Sequence, residues 1–221
     1  MSLLGVVDAA GELEVSSRRV RQLLASGQLP GQRVGRSWVI RRSDVEQLRR
    51  SGVGRPWNAA SAWDVLALAS GGDPQLSPVE RSRARKRLAD NGIAGLIGQL
   101  RSRSQRSEMY AHPSALDRIR DEVEVVRSGV SALDEHDVDL IVIDEAEIYV
   151  RASQVAGLVG RYALEPDADR PNLIVRVVED DVWPFDGGER VASWPIVAVD
   201  LLDADDERSR RAGLELIERH R

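Results

Sequence analysis

Cysteine is absent from the 221 residues, which excludes disulfides, zinc-thiolate sites, iron-sulfur clusters and cysteine nucleophiles and suits a reducing compartment. No apolar run approaches the roughly 18 residues of a membrane span. The opening MSLLGVVDAAGELEV carries aspartate and glutamate where a signal peptide would carry a basic residue and an apolar stretch. These absences predict a cytoplasmic protein that makes no membrane contact. Lysine is nearly missing as well, Lys86 being the one exception among 31 cationic residues, and phenylalanine occurs once, at Phe185. The three histidines, His112, His136 and His220, are scattered without ligand spacing, and no Gly-x-Ser-x-Gly elbow exists.

The residues present are those of a soluble globular protein, 42% hydrophobic and 30% charged, long enough for one large or two small domains. The net charge of -5 hides an asymmetry. Met1 to His112 holds 18 lysine and arginine residues against 10 acidic ones, and Pro113 to Arg221 holds 13 against 26. The first half is therefore suited to a polyanion, and the acidic second half to another task.

Two glycine and proline clusters, Ser51-Gly52-Val53-Gly54-Arg55-Pro56 and Ser70-Gly71-Gly72-Asp73-Pro74, mark boundaries. They suggest a compact unit over 1–54, a helical connector over 55–112 and an acidic α/β or α+β domain over 113–221, an α+β protein as a whole. Ser77-Pro78-Val79-Glu80 reads as a capping box opening a helix from Pro78 to Asn91, with Gly92 as its stop. Ile93, Leu96, Ile97 and Leu100 give the next helix its apolar stripe. Beyond Pro113, Val123–Val126, Leu140–Ile143, Ile148–Val150, Leu173–Val178 and Ile196–Leu201 read as strands. Helices are expected at Ser114–Asp121, Ser153–Tyr162 and Glu207–Arg219.

In the first unit, Val7, Ala10 and Leu13 form the apolar face of a short helix, a turn follows through Glu14-Val15, and Ser16 stands where an N-cap belongs. Val20, Leu23 and Leu24 then point inward at i, i+3, i+4, which turns Arg18 and Gln22 outward, flanked by Arg21 and Ala25 on one side and Arg19 on the other. Arginine grips guanine O6 and N7, and glutamine pairs with adenine N6 and N7, so this face suits a major groove. Gln32–Val34 and Ser37–Ile40 alternate as strands around a Gly35-Arg36 tip, and this hairpin would lay Arg33, Arg36 and Arg41 along phosphates. Ser43-Asp44-Val45-Glu46 is expected to cap a third helix, and Trp38 to be a core tryptophan. The expected DNA contacts are Ser16, Ser17, Arg18, Arg19, Arg21, Gln22, Arg33, Arg36, Ser37 and Arg41.

Ala9-Ala10, Val15-Ser16, Val20, Leu24, Gly27-Gln28-Leu29-Pro30, Arg33-Val34-Gly35, Trp38-Val39-Ile40 and Ser43-Asp44-Val45 resemble the MerR/excisionase-type winged helix-turn-helix. The resemblance covers Leu4 to Leu48 and implies double-stranded operator DNA as the partner. Glu14 departs from it, since the family often has glycine in that turn.

Leu140-Ile141-Val142-Ile143-Asp144-Glu145 looks like the magnesium-binding strand of P-loop ATPases, but no glycine loop precedes the single lysine. Asp139, Asp144, Glu145 and Glu147 would form the carboxylate cluster of a DNA-targeted, metal-dependent nuclease, a rival reading. Trp183-Pro184-Phe185 reads as a plug for the domain's own core, and Arg127 and Arg176 as partners of carboxylates.

Ser82-Arg83, Arg87-Leu88, Tyr110-Ala111-His112, Val126 to Ala132, Tyr149-Val150, Arg170-Pro171-Asn172, Arg176-Val177-Val178, Asp181 to Phe185 and Ala198-Val199-Asp200-Leu201 together resemble actinobacterial AbiEi-like antitoxins of type IV toxin-antitoxin systems. That resemblance implies an autorepressor that counteracts a nucleotidyltransferase-like toxin protein. The expectation is a non-enzymatic antitoxin, without cofactor or metal, able to form a homodimer. A ligand-sensing or dimerising regulator is the other alternative.

Overall fold

A computed structural model of the chain describes residues 3–25, 29–35, 37–50, 56–166 and 168–220. The chain divides into two units, residues 1–55 and 56–221.

The first unit contains α1 (Val6–Glu12), α2 (Ser17–Ala25), α3 (Arg42–Arg50) and a small sheet of β1 (Leu3–Leu4), β2 (Gln32–Val34) and β3 (Ser37–Arg41). The strands are antiparallel in the order β1-β3-β2. Ala9, Ala10, Leu13, Val20, Leu23, Leu24, Leu29, Ile40, Val45 and Leu48 form its core, so the apolar spacing read from α2 is the one that packs, whereas in α1 Ala9 joins Ala10 and Leu13 inside and Val7, expected on that face, is 72% exposed. Ser16 caps α2, its Oγ accepting the Arg19 N–H at 3.2 Å. Trp38 is only half-buried against this core. Gly35 adopts φ +61° beside the hairpin tip, a conformation that favours glycine. Gly27, Gln28 and Arg36, and the boundary cluster at 51–55, lie outside the described residues.

The expected cap of the third helix is corrected. α3 leaves β3 directly at Arg42, which puts Ser43 inside the first turn rather than before it. Arg42 secures this start through ion pairs to Glu12 at 3.1 Å and Glu46 at 3.6 Å.

The second unit runs α4 (Ala59–Ala69), α5 (Pro78–Gly95), α6 (Ile97–Leu100), β4 (Gln105–Tyr110), α7 (Pro113–Arg120), β5 (Val126–Arg127), β6 (Ala146–Arg151), α8 (Val155–Tyr162), β7 (Glu165–Pro166), β8 (Leu173–Val178), α9 (Trp194–Leu202) and α10 (Glu207–Arg219). Its sheet has the order β5-β6-β8-β4-β7, with β6 and β8 parallel and the other pairs antiparallel. The capping box at α5 forms as read, Glu80 N–H donating to Ser77 Oγ at 3.3 Å and Ser77 N–H to Glu80 Oε2 at 3.1 Å. Gly92, at φ +63°, interrupts that helix.

Strand alternation gives the sheet two unlike faces. Ala146, Ile148, Val150, Leu173, Val175 and Met109 pack with Leu116, Ile119 and Leu158 of α7 and α8. The opposite face carries Glu147, Tyr149 and Arg176, and α4, α9 and α10 contribute to the core on that side.

Four expectations fail or shrink here. Residues 55–112 are not a separate helical connector, because β4 lies between β8 and β7, and Trp63, Leu66 and Leu100 share a core with Tyr149 and Val199. Ile196–Leu201 is no strand but the inside of α9, where every residue from Pro195 to Leu201 is buried; a short apolar run enclosed on all sides carries no period of its own. Leu140–Ile143 forms no strand either, and Ile141 and Ile143 are 76% and 75% exposed. The strand begins later, at Ala146. Val123–Val126 likewise shrinks to Val126–Arg127, with Val123 in solvent.

Candidate nucleic-acid interface

The exposed side of α2 follows from its buried one. With Val20, Leu23 and Leu24 in the core, Arg18, Arg21 and Gln22 are exposed at i, i+3, i+4 and form one cluster. Ser17 and Arg19 are half-buried at its margin, Arg19 being engaged within the protein, and the Ser16 hydroxyl serves the cap. The centre of the helix face is thus two guanidinium groups and one amide, a donor-rich set matched to base edges and phosphates.

The hairpin adds further cations. Arg33, Ser37 and Arg41 are all exposed. The register pairs Arg33 with Trp38 and Val34 with Ser37, and directly paired residues share a face. Arg33 therefore lies on the face of Trp38 and Ile40, while Ser37 and Arg41 lie on the other. The ribbon presents cations from both sides rather than a single row.

The second unit brings together a set of charged residues that lie far apart in the sequence, Arg103 and Asp200 by 97 positions. Arg103 and Arg176 are almost completely buried under α9 with Glu147, Tyr149, Asp200 and Asp203. Arg103 donates to Asp200, to Tyr149 Oη at 3.1 Å and to the Leu100 carbonyl at 3.1 Å. Arg176 binds Glu147, Asp200 at 3.1 Å and Asp203 at 3.3 Å. The Ser128 hydroxyl donates to Asp200, and Ser131 Oγ accepts the Glu147 N–H at 2.8 Å. Gly129, at φ +48°, passes so close that a Cβ would stand 1.8 Å from Glu147 Oε2. Of these residues only Arg176 was expected to pair with carboxylates. Arg127 was too, and it binds Glu135.

Burial pushes the Glu147 carboxyl above its ordinary range and the Tyr149 phenol likewise upward. Burial opposes the charge of Asp203 too, but Arg176, Arg103, Arg101 and Arg106 outweigh it and hold that carboxyl below its ordinary range. With Glu147 bound to Arg176, the carboxylates proposed for a metal do not assemble, and among the described residues no histidine, aspartate and glutamate group is arranged to hold one. Phe185 is buried edge-on to Trp63 and Trp183, which closes the core as the plug reading expected.

Among the described residues no helix is long and apolar enough to cross a membrane. No curated protein and no solved structure matches the chain. Residues 3–53 match the family model described as a helix-turn-helix domain, and the first unit is such a domain, a DNA-binding fold.

Proposed function

We propose that the protein is a sequence-specific DNA-binding autorepressor that acts as the antitoxin of a toxin-antitoxin pair. The observation that carries the DNA part is the exposed Arg18, Arg21 and Gln22 cluster on α2, beside a hairpin bearing Arg33 and Arg41. In this reading α2 enters the major groove of a double-stranded operator and the hairpin lies along phosphates. The antitoxin part rests on the AbiEi-like strings of the second half. Several of them, holding Ser128, Tyr149, Arg176 and Asp200, converge on one buried cluster, so the likeness concerns how this unit is built. That cluster is closed to solvent and cannot reach a substrate, which favours a non-enzymatic role.

Footprinting of the full chain on the region upstream of its own gene tests the first part. A protected site is expected, with relaxed base preference in Arg18→Ala and Gln22→Ala, each base-edge contact being worth about 1 to 3 kcal/mol. Parent-like footprints from both variants would remove α2 from the groove. Co-expression with a neighbouring nucleotidyltransferase-like gene tests the second part: growth arrest relieved by this protein supports it, and arrest left unrelieved rejects it.

A further inference from the structure

Helix α5 carries the densest cationic run of the chain, with Arg81, Arg83, Arg85, Lys86 and Arg87 inside seven residues. It stands in a unit whose sequence holds 21 lysine and arginine residues against 31 aspartate and glutamate, a balance of -10. Arg83, Arg85, Lys86 and Arg87 are exposed. The nearby carboxylates are largely committed elsewhere: Glu80 turns back onto Ser77, Asp73 holds Arg81, and Asp90 holds Lys86 at 3.0 Å. Arg83 and Arg85 consequently make no hydrogen bond or ion pair among the described residues. Arg87 lies over the Trp57 ring, 5.0 Å from its centroid, which steadies its guanidinium at the surface.

Arg83, Lys86 and Arg87, at i, i+3 and i+4 on one side of the helix, repel each other, and a polyanion relieves that cost. We infer that the Arg83 to Arg87 segment is a second, sequence-independent contact to the phosphates of the duplex that the first unit reads. The inference rests on the DNA-binding reading above. The argument for a duplex is one of reach. Five residues, 51–55, join α3 to Pro56, and five residues span at most about 18 Å, while a duplex bears one negative charge per about 1.7 Å of its axis. DNA held by the first unit thus lies within reach of the second, whose net negative charge would be repelled unless a cationic face were turned to it.

The test measures binding of the full chain to two duplexes from upstream of its gene, one of about 40 base pairs and one trimmed to the bases whose preference Arg18→Ala and Gln22→Ala relax, over roughly 50 to 200 mM salt. Arg83→Ala with Arg87→Ala, one turn apart on the same side of α5, should lower the slope of log affinity against log salt by about two on the long duplex and change little on the short one. Arg83→Lys with Arg87→Lys, which keeps the charge, should restore the slope. An unchanged slope on the long duplex, with the parent still binding specifically, would overturn this inference alone. No specific binding by the parent would overturn the DNA reading and this inference with it.

Discussion

The Tyr149 phenol on β6 donates to Asp200 Oδ1 on α9 at 2.9 Å, joining sheet to helix across 51 residues of chain. Asp200 is also the acceptor for Arg103 and Ser128 and an ion-pair partner of Arg176. Replacing it by alanine leaves two buried guanidinium groups short of counter-charge. Asp200→Ala should cost about 3 to 5 kcal/mol, and Tyr149→Phe, which removes one hydroxyl, only about 1 kcal/mol. Urea denaturation of the full chain measures both; equal midpoints for the parent and Asp200→Ala would contradict the assigned role of the cluster.

Asp203 makes stability depend on acid. Its carboxyl titrates below the ordinary value of 3.8 in the folded state, so its contribution is present above pH 3.8 and is lost as pH falls through the lower folded value. Glu147, raised by burial, has the opposite sign: it favours the folded state in acid and loses that contribution as pH rises from 4.5. Asp203→Asn should flatten the fall in melting temperature below pH 3.8. Parallel curves for parent and variant would show that other groups govern the acid limb.

Glu14 stands at φ +55° in the turn before α2. An L-residue in that region carries about 1 kcal/mol of strain that glycine does not, so Glu14→Gly should raise the melting temperature of the first unit. Differential scanning calorimetry of the full chain reads this, and a lowered transition would mean that the Glu14 side chain contributes more than its backbone costs.

Arg33 and Arg41, on opposite faces of the hairpin, would meet different phosphates. Each alanine substitution should reduce the salt slope by about one, and the pair by about two. A double variant no different from either single one would place only one of these arginines on DNA.

The first unit was legible because its core is local. Val20, Leu23 and Leu24 lie within one turn and announce their face by spacing alone, and Ser16 announces the helix start. The second unit hid its centre for the opposite reason. Arg103 and Asp200 are 97 residues apart, and Glu147 and Arg176 look like solvated charges on strands whose alternation in fact turns them inward. The strand read at Ile148–Val150 begins two residues earlier, at Ala146, and so takes Glu147 into the sheet. α9 was missed because complete burial erased the polar side that would have revealed a helix. Long-range charge pairing leaves no periodic trace in the sequence.

The same pairing bears on how the chain folds as it is made. Synthesis delivers β4 and Arg103 well before β8 and Asp200, since chains emerge from the ribosome N-terminus first. Until α9 is released, drawing Arg103 inward would strand its guanidinium without a counter-ion, a penalty that keeps this half of the nascent chain open. The helix-turn-helix domain has no such wait, because among the described residues the ten of its core all lie before residue 49. On the ribosome the two units therefore mature in sequence, the DNA-reading one first, and Asp200 is the residue whose arrival releases the other.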